Sequence, residues 1–137
     1  EIGKSWLVED FYGVGELMTA VYIVDDDDAV RDSLVIRLEA EGLEAEPYES
    51  CELFLEQAGA NADGCLILDV HLPGMSGIEL IERGKELGLS LPIIMVTGQG
   101  QPELQSRGLA AGAYAYLEKP VEDEVLLDTV QKAMAQN

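Results

Sequence analysis

The sequence predicts an α/β protein, a doubly wound sandwich built on a five-stranded and mostly parallel sheet. From residue 21 onward, short apolar runs alternate five times with segments whose apolar residues recur at helical spacing. One of these runs, residues 65–68, is apolar throughout, which is typical of a strand buried on both faces. No internal repeat or low-complexity segment interrupts the alternation.

Each predicted strand is a short apolar run, and several of the runs end on a polar residue. The first ends in four consecutive aspartates, the third on Asp69 and the fourth on Thr97. The second run gives a weaker strand signal than the others. The predicted strands span residues 21–24, 43–48, 65–68, 93–96 and 113–117.

The predicted helices follow the strands in turn. Ser50 caps the second helix, and glycines close the first and the third. The fourth is the weakest prediction, because Gly108 lies inside it at a cost of ~1 kcal/mol relative to alanine. Before the first helix, we expect Asp28 to be the cap and Asp27 to face solvent. The predicted helices span residues 29–41, 51–57, 76 or 77 to 87, 102–111 and 122–135.

Residues 1–17 do not fit the alternating pattern and contain the only tryptophan, Trp6. Because Met18 directly precedes the first strand, we expect a leader of foreign origin before a natural start at Met18. The alternative is a native arm or linker whose aromatic residues dock on a surface. Residues 18–137 then form a single domain with a core of its own.

The composition excludes several classes of protein. At 47% hydrophobic and 26% charged, the chain is expected to be soluble and globular. No apolar run approaches the ~18 residues that span a bilayer, and no secretory signal is present. Cys51 and Cys65 make neither a disulfide framework nor a zinc site, so we interpret them as core residues. We therefore expect a cytoplasmic protein without a membrane association.

The net charge of −19 limits the partners of this chain. Only 8 lysines and arginines are present, and they are scattered along the sequence, so we expect no nucleic-acid binding by this chain alone. Strong acidity instead suits a solvated surface, a cation site or a basic partner.

Polar side chains follow four of the predicted strands: Asp25 with Asp26, Asp69, Thr97, and Lys119. In a sheet of this kind, the carboxyl ends of the strands can meet in one crevice. Carboxylates packed together repel one another, and a divalent cation such as Mg²⁺ removes that conflict. Carboxylates, metal, lysine and hydroxyl together form a site that neutralises a phosphoryl group.

Four motifs in this order resemble the receiver domain of bacterial two-component response regulators, over residues 18–137. Within that family, the chain is most similar to nitrogen-fixation-type regulators, which carry a helix-turn-helix output domain. The resemblance implies a flavodoxin-like (βα)5 fold with a five-stranded parallel sheet. The motifs are Val24-Asp-Asp26, Asp69-Val-His-Leu-Pro-Gly-Met-Ser-Gly77, Thr97-Gly98 and Lys119-Pro120.

The resemblance assigns a phosphoacceptor and a metal site. It makes Asp69 the nucleophile that takes a phosphoryl group from the phosphohistidine of a sensor histidine kinase. It implies Mg²⁺, with Mn²⁺ as an alternative ion, held by the side chains of Asp26 and Asp69. The backbone carbonyl of His71 would be a further ligand, and Asp25 would act mainly through water.

The resemblance also implies a switch. Lys119 and Thr97 bind phosphoryl oxygens, and the peptide bond between Lys119 and Pro120 is expected to be cis. Tyr116 matches the aromatic switch position: when Thr97 turns towards the phosphoryl group, the Tyr116 ring swings inward. That movement repacks the face formed by helix 4, strand 5 and helix 5, a surface for a homodimer or another partner. The output would be a transcriptional domain outside this chain, and hydrolysis by water would reset the switch.

Two other functions are alternatives to the phosphoacceptor switch. A phosphatase of the aspartate-nucleophile class would carry a second aspartate two residues after the nucleophile, where this chain has His71. A degenerate binding module that never takes phosphate would not need the intact set of strand-end residues. The imidazole of His71 is a weaker candidate for modulating hydrolysis, and Tyr116 is alternatively a half-buried strand aromatic. We expect a domain that catalyses only its own phosphorylation and dephosphorylation.

Overall fold

The computed structural model describes residues 18–136, so the prediction of a leader over residues 1–17 lies outside the described residues. The described residues form five strands that alternate with five α-helices, and a short 3-10 helix, Gly59–Asn61, precedes the third strand. The strands are β1 (Met18–Val24), β2 (Ala45–Tyr48), β3 (Ala62–Asp69), β4 (Ile93–Thr97) and β5 (Ala115–Glu118). The helices are α1 (Asp28–Ala40), α2 (Cys51–Gln57), α3 (Gly77–Glu82), α4 (Pro102–Ala111) and α5 (Asp123–Met134).

The five strands form one parallel sheet in the order β2-β1-β3-β4-β5, and helices cover both faces. Side chains alternate along β1: Val21 and Ile23 pack beneath α1 and α5, whereas Tyr22 and Val24 face α2, α3 and α4. Both sets are fully buried, as expected for a central parallel strand. The predicted fold class, a flavodoxin-like doubly wound sandwich, is confirmed.

The predicted bounds of α2 and α4 are confirmed, and Ser50 caps α2 by accepting a hydrogen bond from the Leu53 N–H. Cys51 and Cys65 are buried, as predicted. Gly108 has a packing role: an added Cβ would lie 2.1 Å from the Met95 sulfur, so a larger residue would force the buried Met95 side chain to move. None of the helices in residues 18–136 has the length and apolar character needed to cross a bilayer.

Two predictions about helix ends were wrong. Asp27, not Asp28, caps α1: its backbone is extended, and its side chain accepts hydrogen bonds from the N–H groups of Ala29 and Val30. Asp28 instead starts the helix and forms an ion pair with Arg31. The third helix ends at Glu82 rather than at residue 87, because the chain continues in turns up to residue 88.

Candidate functional site

Strand register brings the polar strand ends together. Val24 pairs with Leu68, so Asp25 follows β1 beside Asp69 at the end of β3. Asp69 in turn pairs with Val96, one residue before Thr97. On the far side, the Lys119 N–H donates to the Thr97 carbonyl at 2.8 Å, which continues the β4–β5 ladder past its end. We call Asp25, Asp26, Asp69, Thr97 and Lys119 the strand-end site.

Three carboxylates meet in this site. Oxygen atoms of Asp25, Asp26 and Asp69 lie within 4.8 Å of one another. Asp25 and Asp69 are buried, at 4% and 7% exposure, whereas Asp26 is exposed. A loop N–H group anchors each buried carboxylate: the Asp27 N–H donates to Asp25 at 2.9 Å and the His71 N–H to Asp69 at 3.1 Å.

Lys119 bridges the two buried carboxylates. Its Nζ lies 3.4 Å from Oδ2 of Asp69 and 3.6 Å from Oδ2 of Asp25. Burial lowers the pKa of Lys119, but the two carboxylates raise it by more, so the ammonium stays charged. The peptide bond between Lys119 and Pro120 is cis.

The burial of Asp25 has an electrostatic cost. Desolvation raises the pKa of this carboxyl, and the negative charges of Asp69 and Asp26 raise it further. The Asp27 N–H and the Lys119 ammonium act in the opposite direction without cancelling the rise. The single ammonium therefore leaves the cluster of three carboxylates under-neutralised.

The cluster fits a hard divalent cation. Mg²⁺ prefers oxygen ligands and is commonly held by one or two carboxylates together with waters. The side chains of Asp25, Asp26 and Asp69 supply such oxygens within a small space. A cation there would also offset the charge that raises the pKa of Asp25. The donor chemistry and the electrostatics both suit Mg²⁺.

The loop after β3 is held tightly against the site. An added Cβ on Gly77 would lie 2.5 Å from the Asp69 carbonyl oxygen, so α3 begins in direct contact with the end of β3. The Gly77 N–H donates to the Val70 carbonyl at 3.0 Å across this contact. The exposed His71 ring lies outside the carboxylate cluster and pairs with the Gln101 side chain at 3.0 Å.

Thr97 and Tyr116 lie on adjacent strands but differ in environment. The Thr97 side chain is fully buried, and its hydroxyl forms no hydrogen bond of good geometry among residues 18–136. It is still close enough to the Tyr116 hydroxyl to lower the pKa of that phenol, although desolvation and Glu118 raise this pKa overall. The Tyr116 ring is half-buried against the core on the α2–α4 side of the sheet. Its hydroxyl donates to the Glu118 carboxylate at 2.9 Å.

Two contacts of the site were not predicted from the sequence. Arg31 donates from its guanidinium to the Asp25 carbonyl at 2.6 Å. Glu52, on α2, accepts a hydrogen bond from the Met75 N–H at 2.9 Å and so supports the loop after β3. Nothing in the sequence pattern signals the Glu52 contact: 23 residues separate the partners, and neither of them stands at the end of a strand.

A known family matches most of this chain. The family model for the response regulator receiver domain matches residues 21–131. The chain belongs to the response regulator receiver domain family. Receiver domains are signalling domains of two-component systems, and they generally bind Mg²⁺ through an acidic cluster of the kind formed by Asp25, Asp26 and Asp69.

Individual relatives agree with this family. The response regulator protein TodT of Pseudomonas putida is 38% identical over 116 residues, which cover 85% of this chain and 51% of TodT. The transcriptional regulatory protein FixJ of Azorhizobium caulinodans is 37% identical over 118 residues, covering 85% of this chain and 56% of FixJ. The solved structure of the response regulator StyR superposes with a TM-score of 0.79 at 38% identity, covering 85% of this chain and 59% of StyR. The chain thus spans about half the length of the curated relatives it matches.

Proposed function

We propose that this receiver domain is a phosphoacceptor switch in which Asp69 takes a phosphoryl group from the phosphohistidine of a sensor histidine kinase. The observation that carries the proposal is the position of Asp69, buried between two further carboxylates and 3.4 Å from the Lys119 ammonium. A lysine at that distance can neutralise a phosphoryl oxygen as it arrives.

In the proposed reaction, a carboxylate oxygen of Asp69 forms a bond to phosphorus while the bond from phosphorus to the kinase histidine breaks. The imidazole leaves as it takes up a proton. Lys119 and the Thr97 hydroxyl bind phosphoryl oxygens in the product. When bound, Mg²⁺ supplies the positive charge that lets the phosphoryl group approach the carboxylates. Asp26, Asp69 and the His71 carbonyl would hold this ion, and Asp25 would act mainly through water.

Water attacking the same phosphorus would regenerate the Asp69 carboxylate and release inorganic phosphate. The domain is thus proposed to dephosphorylate itself and to act on no external substrate. Of the rival interpretations, a phosphatase would show steady turnover of a phosphomonoester, and we expect none.

The proposed output runs through Thr97 and Tyr116. The buried Thr97 hydroxyl, which forms no hydrogen bond of good geometry, can donate to a phosphoryl oxygen, and the Tyr116 ring can then move inward. The face that repacks consists of α4, β5 and α5, which we propose as the homodimer or partner surface. Exposed apolar side chains on or beside these elements support that role: Leu109, Tyr114 and Val125. Replacing Tyr116 should alter partner binding more than phosphorylation.

The relatives suggest the wider setting of the switch. We propose that the domain belongs to a cytoplasmic transcriptional regulator whose output domain lies outside this chain, since FixJ is named a transcriptional regulatory protein. The receiver itself has little basis for binding nucleic acid. Within residues 18–136, all but one of its lysines and arginines form ion pairs with carboxylates: Arg31, Arg37, Arg83, Arg107, Lys119 and Lys132.

Incubation of the chain with acetyl phosphate and Mg²⁺, followed by intact mass measurement, tests the proposal. We expect the mass of one added phosphoryl group, which is lost again over time. Asp69→Asn should prevent the addition. Asp32→Asn, a matched change of an exposed aspartate on α1, should not. Absence of the added mass, or addition that survives Asp69→Asn, would overturn the proposal.

A further inference from the structure

A cavity of about 480 Å³ lies between α1 and α5 on one face of the sheet. Its walls are largely apolar and include Val30 and Leu34 of α1, Ile67 of β3 and Leu126 of α5. Asp25, Asp69 and Lys119 line it where it reaches the strand-end site. We call this space the α1–α5 cavity. Ligand sites in proteins commonly have volumes of about 300 to 1,000 Å³, so the cavity is large enough for a small molecule.

One side of α1 forms a wall of the cavity. Val30 and Leu34 stand four residues apart on the side of the helix that lines the cavity, and Arg37 continues this stripe three residues later. Arg37 forms an ion pair with Asp123 of α5, and both side chains are partly exposed. The two helices are therefore linked at the cavity wall by a charged pair.

Arg37 also places an unpaired hydrogen-bond donor at the cavity wall. Its Nε is buried and has no hydrogen-bond partner among residues 18–136. A buried donor without an acceptor is unfavourable, and an oxygen atom of a bound molecule can satisfy it. Apolar cavities hold water poorly but accept small apolar molecules. The wall thus offers apolar surface together with one cationic donor.

We infer that the α1–α5 cavity binds a small apolar molecule, of one or two rings, that carries one oxygen acceptor for Arg37. The apolar body would pack against Leu34, Ile67 and Leu126. Because Asp69 and Lys119 line the same cavity, its occupant would lie next to the proposed phosphoacceptor. The binding itself does not depend on that proposed function, and its test involves no phosphorylation.

The test uses 2-acetylnaphthalene, whose ketone oxygen is the acceptor, titrated into the isotope-labelled full chain and followed by NMR. We expect saturable shift changes at residues that line the cavity. Arg37→Met should weaken binding about tenfold through loss of the charged donor. Asp123→Asn, which removes the ion pair but keeps the guanidinium, should bind at least as well as the wild type.

A steric pair of variants locates the bound molecule. Val30→Phe places a larger side chain, an aromatic ring, in the cavity and should abolish binding. Val35→Phe is the matched control, since Val35 lies on the same helix but does not line the cavity. The inference is overturned if the shifts do not saturate, if they map to the opposite face of the sheet, or if Val30→Phe binds as tightly as Val35→Phe.

Discussion

Replacing Gly77 with alanine tests how closely α3 must approach the end of β3. The new Cβ would lie 2.5 Å from the Asp69 carbonyl oxygen and 2.7 Å from the Val70 Cα. Cβ atoms essentially never come closer than 3.0 Å to another atom, so the nearer contact must open by at least 0.5 Å, from 2.5 to 3.0 Å. Both neighbours are backbone atoms. The strain can be relieved only by moving the helix start or the strand end.

The expected cost follows from two opposing effects. Overpacking a well-packed interior costs about 1–3 kcal/mol. Against this cost, alanine stabilises a helix by at most about 1 kcal/mol relative to glycine. We therefore expect Gly77→Ala to lower the free energy of unfolding by about 1–2 kcal/mol. With a urea slope of about 2 kcal/mol per molar, the unfolding midpoint falls by about 0.5–1 M.

Urea unfolding of Gly77→Ala beside Gly98→Ala measures this effect. Gly98 is the matched control, because the nearest atom to its added Cβ is the Gln101 side-chain nitrogen at 3.6 Å, an ordinary contact. Since the strained carbonyl belongs to Asp69, we also expect slower labelling of Gly77→Ala by acetyl phosphate. Equal midpoints for the two variants would show that the close approach of α3 has no energetic consequence.

Three further predictions concern the acidic run after β1. Asp27→Ala should cost about 1 kcal/mol of unfolding free energy through loss of the cap, and Asp28→Ala less than about 0.5 kcal/mol; the reverse order in urea unfolding would reject Asp27 as the cap. Because burial raises the pKa of Asp25 above 3.8, the stability linked to its protonation is present below 3.8 and is lost as the pH rises through the raised pKa. Asp25→Asn should therefore stabilise the metal-free domain at about pH 8, with a gain that shrinks as the pH falls through the raised pKa, and a less stable variant at pH 8 would contradict this. Asp26→Asn should weaken Mg²⁺ binding about tenfold or more in a calorimetric titration while changing stability little, and unchanged affinity would remove Asp26 from the metal site.

The sequence predicted that the strand-end residues meet, because their positions follow directly from strand topology. Asp25, Asp69 and Thr97 stand immediately after an apolar run, and Asp26 and Lys119 stand one residue further on. Parallel strands place all of their carboxyl ends at one edge of the sheet. The structure brings Asp69 and Lys119 within 3.4 Å although 50 residues separate them. The apolar runs are enough to predict that meeting, since they define both the strands and where each one ends.

Other features depend on geometry that the residue types do not encode. Four consecutive aspartates have the same side-chain chemistry, and only the extended backbone at Asp27 decides which one caps α1. The apolar spacing after Glu82 continues the helical pattern, yet the backbone turns there and leads to Gly88 with a φ of +83°. The contact of Glu52 with the loop after β3 is likewise set by tertiary packing. The residue types alone therefore do not determine these features.

The strand-end site differs from the rest of the core because it buries polar side chains, which costs free energy of folding. Elsewhere the core buries apolar side chains, and the polar groups that it buries are Asp25, Asp69 and Thr97. Two of these are carboxylates that repel each other, and the third has a hydroxyl that forms no hydrogen bond of good geometry. An apolar or amide side chain at any of these positions would relieve that cost, so stability alone does not account for the choice. The proposed function does account for it, because a cation would bring the positive charge that the carboxylates lack and a phosphoryl group would bring an oxygen acceptor for the Thr97 hydroxyl.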